Sequence, residues 1–210
     1  MRTPVLLFLS ALSVLAEGPS LVPLPKPATD GGKALMQALS LRRSGREFTS
    51  ESLPPQTLSN LLWAAYGVNR PDGRRTAPSA MNRQTIDLYV VMSDGAYLYD
   101  AKSHQLKLVE KADLRAATGA QPFVGQAALN IVYVADYSKM GNSPDADKLL
   151  FSGAETGFIG QNVYLYCASE GLSTVIRASV NRDALAKALR LRPDQKITLA
   201  QTVGYPKPGR

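Results

Sequence analysis

Apolar residues first recur at helical spacing at Ala34, Leu35, Ala38 and Leu39, which predicts a helix beginning the folded body near Lys33. That helix runs into a basic stretch, Arg42-Arg43-Ser44-Gly45-Arg46. A second helix is signalled more fully. Leu58, Leu61, Leu62 and Ala65 form one apolar stripe, Pro54-Pro55 suit a first turn, and Gly67 supplies a stop. Trp63 on this helix reads as core or interface. Residues 69–82 are polar and turn-rich, with Pro71, Gly73 and Pro78, and read as a loop, where sites tend to lie.

The pattern then changes to strands. Ile86–Met92 reads as one, Ser93-Asp94-Gly95 as a turn, and Ala96–Tyr99 with Gln105–Val109 as a hairpin. His104 falls beside the hairpin tip and is expected in a surface turn. Short helices are expected at 113–117 and 122–127. Ala128–Ala135 is apolar and β-branched, as a buried strand should be. Asp145–Glu170 reads as one long helix stopped by Gly171. Gly153, Gly157 and Gly160 lie near one of its faces. A helical glycine costs about 1 kcal/mol against alanine, so another helix or a flat ligand is expected to approach closely there. Leu172–Arg177 is a strand candidate, Asn181 caps a helix over Arg182–Leu191, and Ile197–Val203 is the last strand.

The N-terminus differs from the rest. Arg2 precedes an apolar run, Pro4–Ala16, that ends in small residues at Val14 and Ala16. This predicts a signal peptide over 1–16, cleaved after Ala16. The run is short for a transmembrane helix, so stable membrane insertion is not expected. The protein is then exported, periplasmic or secreted; it is cytoplasmic if the segment is no signal. Residues 17–32, with four prolines and three glycines, read as a linker. Residues 33–210 form the domain.

Composition narrows the chemistry. The 210 residues are 45% apolar and 20% charged, enough for one domain with a real core. A net charge of +7 favours anionic partners. Lysines and arginines are spread along the chain without a nucleic-acid motif, which argues against nucleic acid. A single cysteine, Cys167, excludes an internal disulfide and four-cysteine zinc sites. A single histidine, His104, excludes His-rich metal sites, and no metal is expected.

The common cofactor signatures are missing: there is no G-x-G-x-x-G, no G-x-x-x-x-G-K-[ST] and no H-E-x-x-H. Four weaker segments remain. Arg42-Arg43-Ser44-Gly45-Arg46 gathers guanidinium forks and a hydroxyl, which match a phosphate monoester. Pro78-Ser79-Ala80-Met81-Asn82-Arg83-Gln84 carries side-chain amides that donate and accept, as the edge of a flavin ring requires. Gly171–Ser179 is a strand ending in a small-residue loop whose backbone N–H groups can face such a ring. The tail Gly204-Tyr205-Pro206-Lys207, with Arg210, can return positive charge.

In this order, R-R-S-x-R-x-F, P-S-x-x-N-R-Q, G-x-x-x-Q-N-x-x-L and V-G-Y-P-K, the chain resembles the nitroreductase family of FMN-dependent oxidoreductases. Leu21-Val22-Pro23-Leu24-Pro25 resembles the lead-in of its SagB-type dehydrogenase branch. The resemblance implies an α+β fold, a mixed, mostly antiparallel sheet flanked by helices, and a homodimer with FMN at the interface. It implies that Arg42, Arg43, Ser44 and Arg46 hold the phosphate and ribityl groups, with Lys207 and Arg210 completing the phosphate site. Pro78, Ser79, Asn82 and Gln84 would line the flavin pocket. Ile176, Arg177, Ala178 and Ser179 would sit against the ring, with the Ala178 N–H near N5. Arg177 is then a catalytic candidate, able to stabilise reduced flavin or an anionic substrate. The implied reaction is ping-pong hydride transfer through flavin N5, from NAD(P)H or another donor to a small acceptor, nitroaromatic or quinone-like. The same pocket would also serve a flavin-binding sensor or carrier without turnover.

Overall fold

The computed structural model describes residues Ser20 to Pro208; the expected signal peptide and Arg210 lie outside the described residues. Seven strands make one sheet: β1 (Leu21–Pro23), β2 (Ile86–Met92), β3 (Gly95–Asp100), β4 (Gln105–Glu110), β5 (Leu129–Asp136), β6 (Ser173–Arg177) and β7 (Gln195–Gly204). The strand order is β1-β4-β3-β2-β5-β7-β6. Every pairing is antiparallel, where a mixed sheet was expected. The helices among the described residues are α1 (Leu35–Leu41), α2 (Pro55–Tyr66), α3 (Asp145–Glu170) and α4 (Arg182–Ala188). The class is α+β. The short helices expected at 113–117 and 122–127 are 3-10 turns, Arg115–Thr118 and Pro122–Gly125.

Strand β5 explains the layering. All eight of its residues are buried, because helices cover both faces of the sheet. Ile131, Tyr133 and Ala135 face a core shared with α2 and α3, through Leu61, Leu62, Ile159, Val163 and Cys167. Val132 and Val134 face the opposite way, onto Leu185 and Leu189 beside α4. Each fully buried Leu or Ile of this kind contributes roughly 1.5–3 kcal/mol. Helix α4 ends at Ala188, short of Leu191, where Arg190 adopts a left-handed backbone (φ 53°).

The segment expected to be a linker is strapped to the body. Leu21–Pro23 pairs with β4 as the outermost strand, a position where proline is tolerated. The Ser59 hydroxyl donates to the Pro25 carbonyl at 2.5 Å, and Ala28 N–H donates to Asn60 at 2.8 Å. His104 does sit in a turn, with φ 51°, but its ring is not a free surface group. Nε2 lies 2.7 Å from the Ser59 hydroxyl and Nδ1 lies 2.9 Å from Tyr99 OH. Burial lowers its pKa below the usual imidazole value.

Candidate functional site

Helix α3 is the axis of the site, with α1 and α2 packed against it. On one flank stands Tyr164. Helix α1 stops because Arg42 takes extended backbone (ψ 121°), and the basic turn then docks onto β6. Gly45 N–H donates to Thr174 C=O at 3.0 Å, and a Cβ at Gly45 would overlap the Ser173 side chain. Tyr164 OH pairs with the Ser44 hydroxyl at 2.9 Å and accepts from Ile176 N–H at 3.0 Å. The Arg42 guanidinium lies 5.3 Å from the Tyr164 ring centre. Tyr164 thus ties together the first and third segments singled out in the sequence.

The fourth joins them. Phe48 bridges to Pro206, and Lys207 N–H donates to Glu47 C=O at 3.3 Å. Arg46 and Lys207 then line one cavity of about 630 Å³, with Phe48 and Phe123. Among the described residues no carboxylate pairs with Arg42, Arg43, Arg46 or Lys207; the ion pairs lie elsewhere. Just past β6, Ala178 and Ser179 are exposed, and their N–H groups have no acceptor among the described residues. Unpaired cations and free backbone donors suit an anionic, polar-edged ligand.

Arg177 does not belong to this set. It is only 7% exposed. Its guanidinium donates to Thr118 C=O at 2.9 Å, Asn130 Oδ1 at 3.0 Å and the Thr202 hydroxyl at 2.8 Å. Burial without a carboxylate partner lowers its pKa to about 10, which leaves it charged at neutral pH. The expectation of a substrate-facing arginine is corrected here. A strand side chain alternates faces, and position 177 points inward.

The other flank of α3 carries Glu155, buried at 3% exposure. It accepts from Ser79 at 2.9 Å, Thr85 at 2.7 Å, Ile86 N–H at 3.4 Å, and Tyr66 OH. Burial and the neighbouring carboxylate push the Tyr66 phenol well above its ordinary pKa, so it stays a donor. Ser79 also accepts from Gln84 N–H at 2.7 Å, and Gln84 donates to Asn82 Oδ1 at 3.1 Å. Met81, Asn82 and Gln84 all have φ between 51° and 56°. Left-handed backbone at non-glycine residues is held only by surrounding structure. Glu155 supplies that hold.

Pro78, Ser79, Asn82 and Gln84 therefore cluster, but not with the basic turn. Tyr164 lies nine residues beyond Glu155 on α3, about 14 Å along the axis and roughly half a turn out of phase. One chain presents the two clusters on opposite flanks of one helix, where the sequence order suggested a single pocket. Glu155, Tyr66, Thr85 and Tyr164 were not singled out beforehand. Glu155 had a signal: it precedes Ile159 and Val163 by four and eight residues, a carboxylate in an apolar stripe.

The glycines of α3 divide. A Cβ at Gly160 would lie 2.8 Å from Ile176 Cδ1, whereas Gly153 and Gly157 have nothing within 4 Å. Among the described residues, no group of three or more His, Cys, Asp or Glu is placed to hold a metal, and no helix is long and apolar enough to cross a membrane.

Comparison with known proteins decides the family. Residues 39–205 match the Nitroreductase family. The chain is a member of it. Among solved structures, this nitroreductase-family chain resembles a candidate nitroreductase of Ralstonia eutropha, with 45% identity, 90% of each chain covered and a TM-score of 0.86. A candidate nitroreductase of Methanocaldococcus jannaschii is 29% identical over 168 residues, 75% of this chain and 85% of that one. The NADPH:FMN oxidoreductase of Vibrio harveyi, solved with NAD+, shares the fold at 18% identity, with a TM-score of 0.63 over 83% of this chain and 69% of that one.

Proposed function

We propose that this protein is an FMN-dependent oxidoreductase, reducing a small acceptor with electrons from NAD(P)H or another donor. The observation that carries the proposal is the set of cations without carboxylate partners among the described residues: Arg42 and Arg43 beside Tyr164, and Arg46 with Lys207 on one cavity, together with the free N–H groups of Ala178 and Ser179 just past β6. The cations suit the phosphate, the Ser44 hydroxyl suits the ribityl chain, and the backbone donors suit the polar edge of the ring. When bound, FMN supplies two-electron chemistry; the chain binds and orients it. Family membership supports the reading, as does the shared fold of the Vibrio NADPH:FMN oxidoreductase.

We infer further that the site is composite. Leu35 and Met36 on α1, and Leu149, Leu150 and Phe158 on α3, are 48–76% exposed. Large apolar side chains left exposed along two packed helices mark an interface. Two copies packed through α1 and α3 would bring the Tyr164 flank of one beside the Ser79–Gln84 loop of the other, which completes the ring-edge contacts. The open Gly153 and Gly157 positions give that interface room for close approach. We place the protein outside the cytoplasm on the strength of residues 1–16, and in the SagB-type branch on Leu21–Pro25. N-terminal sequencing of exported material tests the first; an intact Met1 there overturns it.

The purified protein is expected to be yellow and to release FMN on denaturation. Anaerobic mixing with NADH or NADPH is expected to bleach it. A colourless protein that does not take up added FMN overturns the proposal. A yellow protein that no donor bleaches favours a flavin-binding carrier.

A further inference from the structure

The first part of the loop between α2 and β2, residues 67–76, carries three arginines, Arg70, Arg74 and Arg75, and a single carboxylate, Asp72. It is a closed hairpin rather than a loose connection. Asn69 N–H donates to Arg74 C=O at 3.1 Å, Gly73 N–H to Arg70 C=O at 3.1 Å, and Thr76 N–H to Gly67 C=O at 3.0 Å. The arginines therefore project from a fixed frame. Arg75 lies 4.3 Å over the Tyr66 ring centre, and its Nε donates to Gln84 Oε1 at 2.9 Å. Arg74 pairs with Asp72, and Arg70 has no carboxylate partner among the described residues.

All three arginines line one cavity of about 520 Å³. Ser79, Met81 and Asn82 line its other side. The volume is within the usual range of small-molecule sites, roughly 300–1,000 Å³. Guanidinium forks match planar oxyanions, and Met81, 81% exposed, adds an apolar lip. The strained backbone of Met81, Asn82 and Gln84 sits against the same space, and such strain gathers at ligand clamps. The phosphate-type cluster around Tyr164 is on the opposite flank of α3, so these cations are a separate set.

We propose that the Arg70–Arg74–Arg75 cavity is an oxyanion subsite that anchors the carboxylate or phosphate of a substrate while the rest of that substrate reaches toward the Asn82 edge of the flavin site. The proposal rests on the flavin reading for its role in turnover, but not for anion binding itself. The anion has two sources: a carboxylate on the acceptor, or the 2′-phosphate of a nicotinamide donor.

Calorimetric titration of the purified protein separates them. The probes are benzoate and adenosine 2′-monophosphate, each beside its neutral partner, benzyl alcohol and adenosine. The comparison protein is Arg70→Gln/Arg74→Gln, whose side chains are exposed and whose fold is checked by its melt. A lost charge-assisted contact weakens binding about tenfold. The expected result is anion binding that weakens at least about tenfold in the double variant, while the neutral partners are unaffected. Benzoate alone points to the acceptor; adenosine 2′-monophosphate alone points to the donor. Binding of neither anion, or equal binding by both proteins, overturns the proposal. Flavin is assayed on the same samples. A colourless protein that takes up no added FMN but still binds benzoate would sink the flavin reading and leave the subsite standing; a yellow one that binds neither anion would do the reverse.

Discussion

The two flanks of α3 use charge in opposite ways. Around Glu155 every donor is committed: two hydroxyls, a phenol and a backbone N–H converge on one buried carboxylate. On the other flank, the basic turn that docks at Tyr164, with Lys207 beside Arg46, carries cations without carboxylate partners among the described residues. A saturated network rigidifies what it touches, here the strained Met81–Gln84 loop. An unsaturated cluster of like charge repels itself until an anion arrives. The Glu155 network is scaffold for the loop it holds, and the basic cluster is receptor.

Breaking the scaffold should cost most. Glu155→Ala strands several buried donors and is expected to lower unfolding free energy by about 4 kcal/mol, read by urea denaturation. Glu155→Gln keeps an acceptor and should lose roughly half of that. Equal small losses would mean the network does not hold the loop. Breaking the receptor should spare the fold. Arg42→Ala/Arg46→Ala is expected to weaken FMN binding about 100-fold, with the flavin-free melt unchanged. A lower melt with flavin retained would reverse the two roles.

A smaller contrast lies within α3. Gly160→Ala forces Ile176 to shift and should destabilise by about 1–3 kcal/mol. Gly153→Ala enters open space and should stabilise the isolated chain by up to about 1 kcal/mol while weakening self-association, read by sedimentation. The smallest effect lies away from both flanks. Because burial depresses the His104 pKa, the unfolded chain binds the proton more tightly. Stability should be full above about pH 6.5 and fall as pH drops below it. Thermal melts of His104→Gln from pH 7 to 5 should lack that part of the slope.

The sequence carried the fold further than the site. The stripe Leu58, Leu61, Leu62, Ala65 and the run Ala128–Ala135 each specify an element because burial sets their period. Leu21–Pro23 was missed because β1 is held by β4 and by Ser59 of α2, partners distant in sequence. Arg177 was misjudged for a related reason: chain position beside Ala178 says nothing about which way the side chain points. The basic turn, Ser79 and Gln84 were legible as chemistry. That they occupy opposite flanks of α3 was not, because motif order along a chain carries no angle around a helix.

The composite site is the central claim, and mixing tests it most directly. Arg42→Ala/Arg46→Ala disables one half-site, and Ser79→Ala/Asn82→Ala disables the other. Each variant alone is expected to be nearly flavin-free. Co-expressed in equal amounts, half the dimers should be mixed, and each mixed dimer regains one intact site, so flavin should recover to about one per four chains. No recovery, with mixed dimers demonstrated, would mean that each chain builds its whole site alone and would contradict the account.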